Sequence, residues 1–201
     1  FGDIGCLSFN GNKIITTGGG GAIITNNSEI AKLAKYLTQQ AKEPHQFEYI
    51  HNEIGYNYRL TNIQAALGVA QLEQIEDFIA KKIEIEKWYN EFLSDVENIY
   101  FPVSENNSVR WNRWIFAVLL KNIKTILERD NIVKRFINSN IGVRPFWRPI
   151  HLQKKFENYY SADLAITENV YLNGLHLPAS VSLTKDTVKK ICDVLKRDAT
   201  P

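Results

Sequence analysis

The sequence predicts an α/β chain in two parts, a strand-and-helix segment followed by a small α+β domain. Three observations lead there. Short apolar runs with strand character open the chain and recur in its second half. Between them, apolar residues keep a helical period from Asn62 to about Leu93 with no proline. Beyond that stretch, strands and helices alternate without a strict βαβ rhythm, the pattern of an antiparallel sheet flanked by helices. The boundary is placed inside the long helix near Glu84, giving parts 1–84 and 85–201.

The run Ile4 to Phe9 reads as a buried strand that ends in the turn Asn10-Gly11-Asn12. After Lys13 come Ile14-Ile15, Thr16-Thr17 and four glycines, Gly18 to Gly21. Ala22 to Thr25 reads as a second short strand, so the pair forms a hairpin-like unit. Asn27-Ser28 before Glu29 marks a helix start, with Ile30, Leu33, Ala34 and Leu37 at helical spacing. Pro44 is expected to end that helix. Glu43 to Leu60 mixes aromatic and polar residues without a period and reads as a long ordered loop, a kind often used for function. Thr61 is a natural N-cap. From Asn62 the chain reads as one very long helix, or as two with a bend. In the second half, Ile99 to Phe101, Trp114 to Leu120 and Ile141 to Phe146 read as strands. Ile126 to Ser139 reads as a helix with Ile132, Val133, Phe136 and Ile137 inward. Ser161 to Leu172 and Lys185 to Leu195 read as two more helices.

Composition narrows the classes. Hydrophobic residues make up 44% and charged residues 23%, a balance typical of globular proteins. The net charge of +2 gives no electrostatic reason to expect nucleic acid or an anionic membrane as a partner. No apolar run has the length of a membrane span. Cys6 and Cys192 form neither a CxxC pair nor a disulfide framework, which favours a reducing compartment, the cytoplasm. Cys6 lies in the apolar stretch Ile4-Gly5-Cys6-Leu7 and reads as a buried, inert thiol. The chain has no Met and opens inside a strand-like segment, the start expected of a piece of a longer protein.

Four segments hold candidate chemistry. Lys13 follows a strand and a tight turn; a lysine so placed can project into a cleft and condense with an aldehyde. By spacing alone it reads more readily as a solvated charge. The glycine run can bring backbone close to a ligand or offer amides to a phosphate, yet it fits neither GxxxxGK[ST] nor GxGxxG. Gly55 to Asn62 sets Tyr56, Asn57, Tyr58 and Arg59 directly before a helix N-terminus, where anions are favoured. A packed helix start capped by Thr61 explains the same residues equally well. Arg144, Phe146, Trp147, Arg148 and His151 crowd one proline-bounded segment, with cations for a phosphate or carboxylate and rings for a base or sugar face. His45, His51 and His176 lack metal-ligand spacing, and no metal site is expected.

Together these segments resemble a known family. The stretch from Ser8 to Gly21 (SFNGNKIITTGGGG) resembles the cofactor-lysine segment of the DegT/DnrJ/EryC1/StrS aminotransferases. Gly55 to Ala66 (GYNYRLTNIQAA) is similar to that family's second signature. Leu175-His176-Leu177-Pro178 followed by Leu183-Thr184 is similar to its C-terminal segment. TTGGGG and RPFWRPIHLQ look most like the branch that makes 4-amino sugars on the route to legionaminic acid.

The resemblance implies the C-terminal part of the aspartate-aminotransferase-like fold (fold type I): a remnant of the large pyridoxal-phosphate (PLP) domain plus a small α+β domain. It implies that Lys13 carries PLP and moves a proton during the reaction. Ser8 would bind the cofactor phosphate. Asn57 or Arg59 would reach that phosphate from the neighbouring subunit of a homodimer with shared active sites. Tyr56, Arg144, Trp147 and His151 would lie near the substrate. Glutamate would be the amino donor and a 4-keto-6-deoxy sugar nucleotide the acceptor, for bacterial surface glycans. Family members are about twice this length, and their other half holds the stacking aromatic residue and the acidic partner of the pyridine nitrogen. A catalytically inactive piece that folds, oligomerises or binds nucleotide-sugar is therefore the alternative. A PLP dehydratase of the same fold carries histidine in place of the lysine, so Lys13 argues against it.

Overall fold

The computed structural model describes residues 2–101, 111–159 and 162–199. The chain divides into two compact units, one ending at Asp77 and the other beginning at Phe78. This division and the Glu84 boundary expected from the sequence fall in the same helix.

In the first unit, β1 (Gly5–Ser8) pairs antiparallel with β2 (Gly21–Ile24), with Ser8 opposite Gly21. α1 (Ser28–Thr38) starts where Asn27 accepts hydrogen bonds from the amides of Glu29 and Ile30, satisfying two otherwise orphaned donors. The helix stops at Thr38, well before Pro44. Gln40 and Ala41 take positive φ of 67° and 49°, so the backbone turns away before the proline is reached. The long helix is two: α2 (Asn62–Leu72) and α3 (Ile75–Leu93). Thr61 caps α2 in a full capping box with Gln64.

The first unit encloses little. Neither α1 nor α2 has a buried residue, and Leu33, Leu67 and Leu72 are exposed. Cys6 is exposed rather than buried, because β1 pairs with β2 alone and none of its residues is fully buried.

The second unit is built the other way. β3 (Ile99–Tyr100), β4 (Phe116–Leu120), β5 (Arg144–Pro145) and β6 (Gly174–Leu177) form an antiparallel sheet in the order β3-β4-β6-β5. α4 (Ile126–Asn138), α5 (Ala165–Asn173) and α6 (Lys185–Ala199) complete it with α3. Ile85, Tyr89 and Leu93 of α3 pack with Phe116, Val118, Phe136, Leu175, Val188 and Leu195 in one core. Side chains of this size each contribute about 1.5–3 kcal/mol by burial. β4 begins at Phe116 rather than Trp114, and α6 runs on to Ala199 past the expected Leu195. The sequence reading differs at three further points. Ile137 is exposed, one position off the inner stripe of α4. The expected strand from Ile141 shortens to Arg144–Pro145. The helix expected from Ser161 runs Ala165–Asn173, and Ser161 itself lies outside the described residues.

α3 also clasps the turn that leaves β6. Lys82 Nζ donates to the carbonyls of Ala179 (2.6 Å) and Trp114 (3.3 Å), and the Tyr89 hydroxyl donates to Pro178 O (2.8 Å). Burial lowers the Lys82 pKa from its ordinary value.

Candidate active site

The loop between β1 and β2 carries Lys13 and is closed by its own backbone. Lys13 N donates to Asn10 O, Phe9 N to Gly20 O and Thr17 N to Phe9 O, each at 3.0 Å. The Thr16 hydroxyl donates to Phe9 O at 2.9 Å, and the Thr17 hydroxyl donates to Gly19 O. Gln71 of α2 grips the loop with both ends of its amide. It accepts from Thr16 N at 3.0 Å and donates to Thr16 O at 2.9 Å. The glycine run has a physical reason here. Gly20 holds φ of +85°, and a Cβ on it would stand 2.5 Å from Leu60 Cδ2. Lys13 is half-buried, while Ser8, at the end of β1, is exposed. The Ser8 hydroxyl makes no hydrogen bond among the described residues.

The second predicted segment belongs to the same unit. Tyr56 N donates to Leu37 O at 2.7 Å, Gln40 N to Tyr56 O at 3.0 Å and Tyr58 N to Thr38 O at 3.2 Å. Asn57 bridges Gln39, so residues 56–58 run as a short antiparallel ribbon along the end of α1. Gly55 permits that approach: a Cβ there would sit 2.2 Å from Gln40 C and Ala41 N. Tyr56 and Tyr58 stack at 5.1 Å. Arg59 follows, exposed, immediately before the Thr61 cap. The base of the preceding loop is tied by the Tyr36 hydroxyl, which donates to Glu43 at 2.7 Å. That bond, together with burial and the carboxylates of Glu43 and Glu53, pushes the tyrosine pKa up to about 12.

The third segment lies in the second unit, along the edge strand β5. Arg144 is paired in register with His176 of β6. Phe146 and Trp147 follow at once. His151 sits in a short 3-10 turn, Ile150–Leu152, with its Nε2 3.0 Å from Glu168 Oε1 of α5. Arg148 is turned to its own loop, donating to Leu152 O at 2.9 Å, whereas Arg144 is exposed and has no partner among the described residues. Two aromatic partners of Trp147 were not expected from the sequence. Trp114 stacks on it at 6.0 Å, and His176 meets it at 4.7 Å. His176 alternates with the core residues Leu175 and Leu177, a strand period that marks it as facing away from the core. No group of three or more metal-ligating side chains gathers among the described residues, and no described helix is long and apolar enough to cross a membrane.

A family model for the DegT/DnrJ/EryC1/StrS aminotransferases matches residues 1–196. The chain belongs to that family. It is 37% identical over 199 residues to a pyridoxal phosphate-dependent aminotransferase named EpsN, marked putative, of Bacillus subtilis (strain 168), covering 97% of this chain and 50% of the relative. It is 35% identical to the GDP-perosamine synthase of Escherichia coli O157:H7, covering 96% of this chain and 51% of that enzyme. Among solved structures, a family aminotransferase from Brucella abortus superposes with a TM-score of 0.84 at 27% identity, covering 100% of this chain and 52% of that one. Helicobacter pylori PseC, an aminotransferase involved in the biosynthesis of pseudoaminic acid, gives a TM-score of 0.89 at 24% identity, and shares the fold. The fold is that of the fold type I aminotransferases, of which this chain spans about half the length.

Proposed function

We propose that this protein is a PLP-dependent aminotransferase that moves the amino group of glutamate onto the keto carbon of a 4-keto-6-deoxy sugar nucleotide. The observation that supports it most is Lys13, half-buried on a loop that is clamped to α2 by both ends of the Gln71 amide. A loop held so firmly presents one amine in one place. The donor set suits the group. Lys13 offers an amine for the aldehyde of PLP, and the Ser8 hydroxyl, without a partner among the described residues, offers a donor for its phosphate. In a homodimer, Asn57 or Arg59 of one copy adds an amide or a cation to the phosphate held by the other. The exposed apolar side chains Phe47, Tyr49, Ile54 and Ile63 around that segment support such a pairing.

When bound, PLP supplies the electron sink for the carbon that loses its proton. Nζ of Lys13 takes the α-proton of glutamate and later delivers a proton to the sugar carbon. In the second unit, Arg144, with no partner among the described residues, is a cation for a diphosphate, and Trp147 offers a flat face to the base or sugar. In the first unit, Tyr56 is a further aromatic group for the substrate. His151, oriented by Glu168, is a hydrogen-bonding group for the same substrate. We assign 1–84 to the large cofactor domain and 85–201 to the small domain. The cytoplasm suits the protein, since an exposed free thiol such as Cys6 stays reduced there. The names of similar proteins support an amino-sugar product: a perosamine synthase and an altrosamine transaminase are among them.

The test is an amino-transfer assay with PLP, glutamate and GDP-, UDP- or dTDP-linked 4-keto-6-deoxy sugars. Formation of 2-oxoglutarate with an amino-sugar nucleotide, abolished by Lys13→Ala, is the expected result. The bare surfaces of the first unit favour a second reading, a chain that binds nucleotide-sugar without turnover. Binding without product, unchanged by Lys13→Ala, would select it.

A further inference from the structure

We propose that His176 is a positioning residue for the substrate, holding the indole of Trp147 side-on against Trp114 so that one face of the ring is fixed toward the ligand. The inference rests on the reading of the Arg144–His151 strip as the nucleotide-sugar surface.

Trp147 is 63% exposed, yet it is not a loose surface ring. Trp114 lies along it at 6.0 Å with 28° between planes, and His176 meets it at 4.7 Å with a 59° tilt. His176 is in turn held at 4.3 Å by Phe146. Phe146 has its place because residue 174 is glycine: a Cβ there would stand 2.1 Å from Phe146 Cδ2. Gly174 and His176 are two apart on β6 and share the sheet face opposite Leu175 and Leu177. The backbone of Trp114 is anchored, since its carbonyl accepts from the buried Lys82. A chain of contacts therefore runs from α3 through Trp114 to Trp147, and from β6 through His176 to the same ring. An indole already ordered loses little freedom when a ligand stacks on it, and preorganisation of this kind appears directly as affinity. Burial lowers the imidazole pKa, so near neutral pH the ring packs as an uncharged aromatic. On this account phenylalanine can replace the imidazole and alanine cannot.

The test compares the unaltered chain with His176→Ala, His176→Phe and Trp147→Ala. Binding of GDP, UDP and dTDP, each alone, is measured by calorimetry. Order of the Trp147 indole is read from ¹⁵N relaxation of its Nε1–H, and folding is checked by thermal melting. The expected result is that His176→Ala weakens the bound nucleotide about tenfold and mobilises the Trp147 indole. His176→Phe restores both, and Trp147→Ala weakens binding at least as much as His176→Ala. If Trp147→Ala weakens binding while His176→Ala leaves both affinity and indole order unchanged, His176 has no positioning role and the substrate surface stands without it. If His176→Phe fails to rescue while melting as the unaltered chain does, the positioning role is likewise overturned. Should the unaltered chain bind none of the three nucleotides, or Trp147→Ala bind as well as it does, the reading of the strip falls and this inference with it.

Discussion

The first unit holds the candidate cofactor lysine and almost no core, whereas the second holds a closed core and no candidate catalytic lysine. Tyr89, Phe136, Leu175 and Leu195 are fully enclosed in the second unit. In the first, Ala41 and Thr17 are the buried residues among those described. What organises the first unit is hydrogen bonding: the ladder of β1 and β2, the Gln71 clamp, the Asn27 and Thr61 caps and the 56–58 ribbon. Bonds of that kind contribute about 0.5–1.5 kcal/mol each, far less than an aromatic core residue. The contrast teaches that geometry around Lys13 is set locally by hydrogen bonds, while much of the apolar surface of its unit is left exposed.

The sharpest way to break this comparison is a matched pair of truncations. Phe136→Ala should destabilise the second unit by about 3–5 kcal/mol, seen in denaturant unfolding. Leu33→Ala, on the exposed face of α1, should change stability by less than about 0.5 kcal/mol. Equal effects would mean that the first unit has a core of its own.

A second contrast uses the two thiols. Cys192 is buried, and its pKa is pushed up to about 12 by burial. From pH 7 to 9 it stays protonated, because the native pKa lies above that window. Cys6 is exposed on β1. A disulfide reagent at pH 8 should therefore modify Cys6 within minutes and Cys192 only as the second unit opens. Simultaneous labelling would show that the second unit is loosely packed.

Smaller still is the effect expected at Gln71. Gln71→Ala should leave the melting of the second unit unchanged and cost the Lys13 loop about 1 kcal/mol. Faster hydrogen exchange at Thr16 and Lys13 would report it. Unchanged exchange would mean that the glycine-rich turn alone orders the loop.

Much of this was legible in the sequence, and the exceptions have physical causes. Asn27 and Thr61 announced their helices because a cap is a local interaction. Phe136 and Ile132 followed from a 3.6-residue period, but Ile137 sits at the edge of that stripe, where period alone cannot separate half-buried from exposed. The end of α1 was misjudged because Gln40 and Ala41 adopt left-handed backbone that neither residue type advertises. Cys6 looked buried because apolar neighbours predict a covered strand, and in this chain no layer covers it. At the site, Lys13, Ser8 and Arg59 are candidates because ordered motifs single them out. Gln71 and His176 were not given roles, since a contact 55 residues distant, or a ring across a sheet, leaves no mark on local pattern.

Lys13, in a unit with almost no core, is the residue we propose takes PLP. Borohydride reduction of the purified chain with added PLP, followed by peptide mass mapping, tests it directly. A stable pyridoxyl adduct confined to Lys13 and absent from Lys13→Ala is the expected result. Adducts scattered over exposed lysines such as Lys32 and Lys185, with none favoured at Lys13, would contradict it.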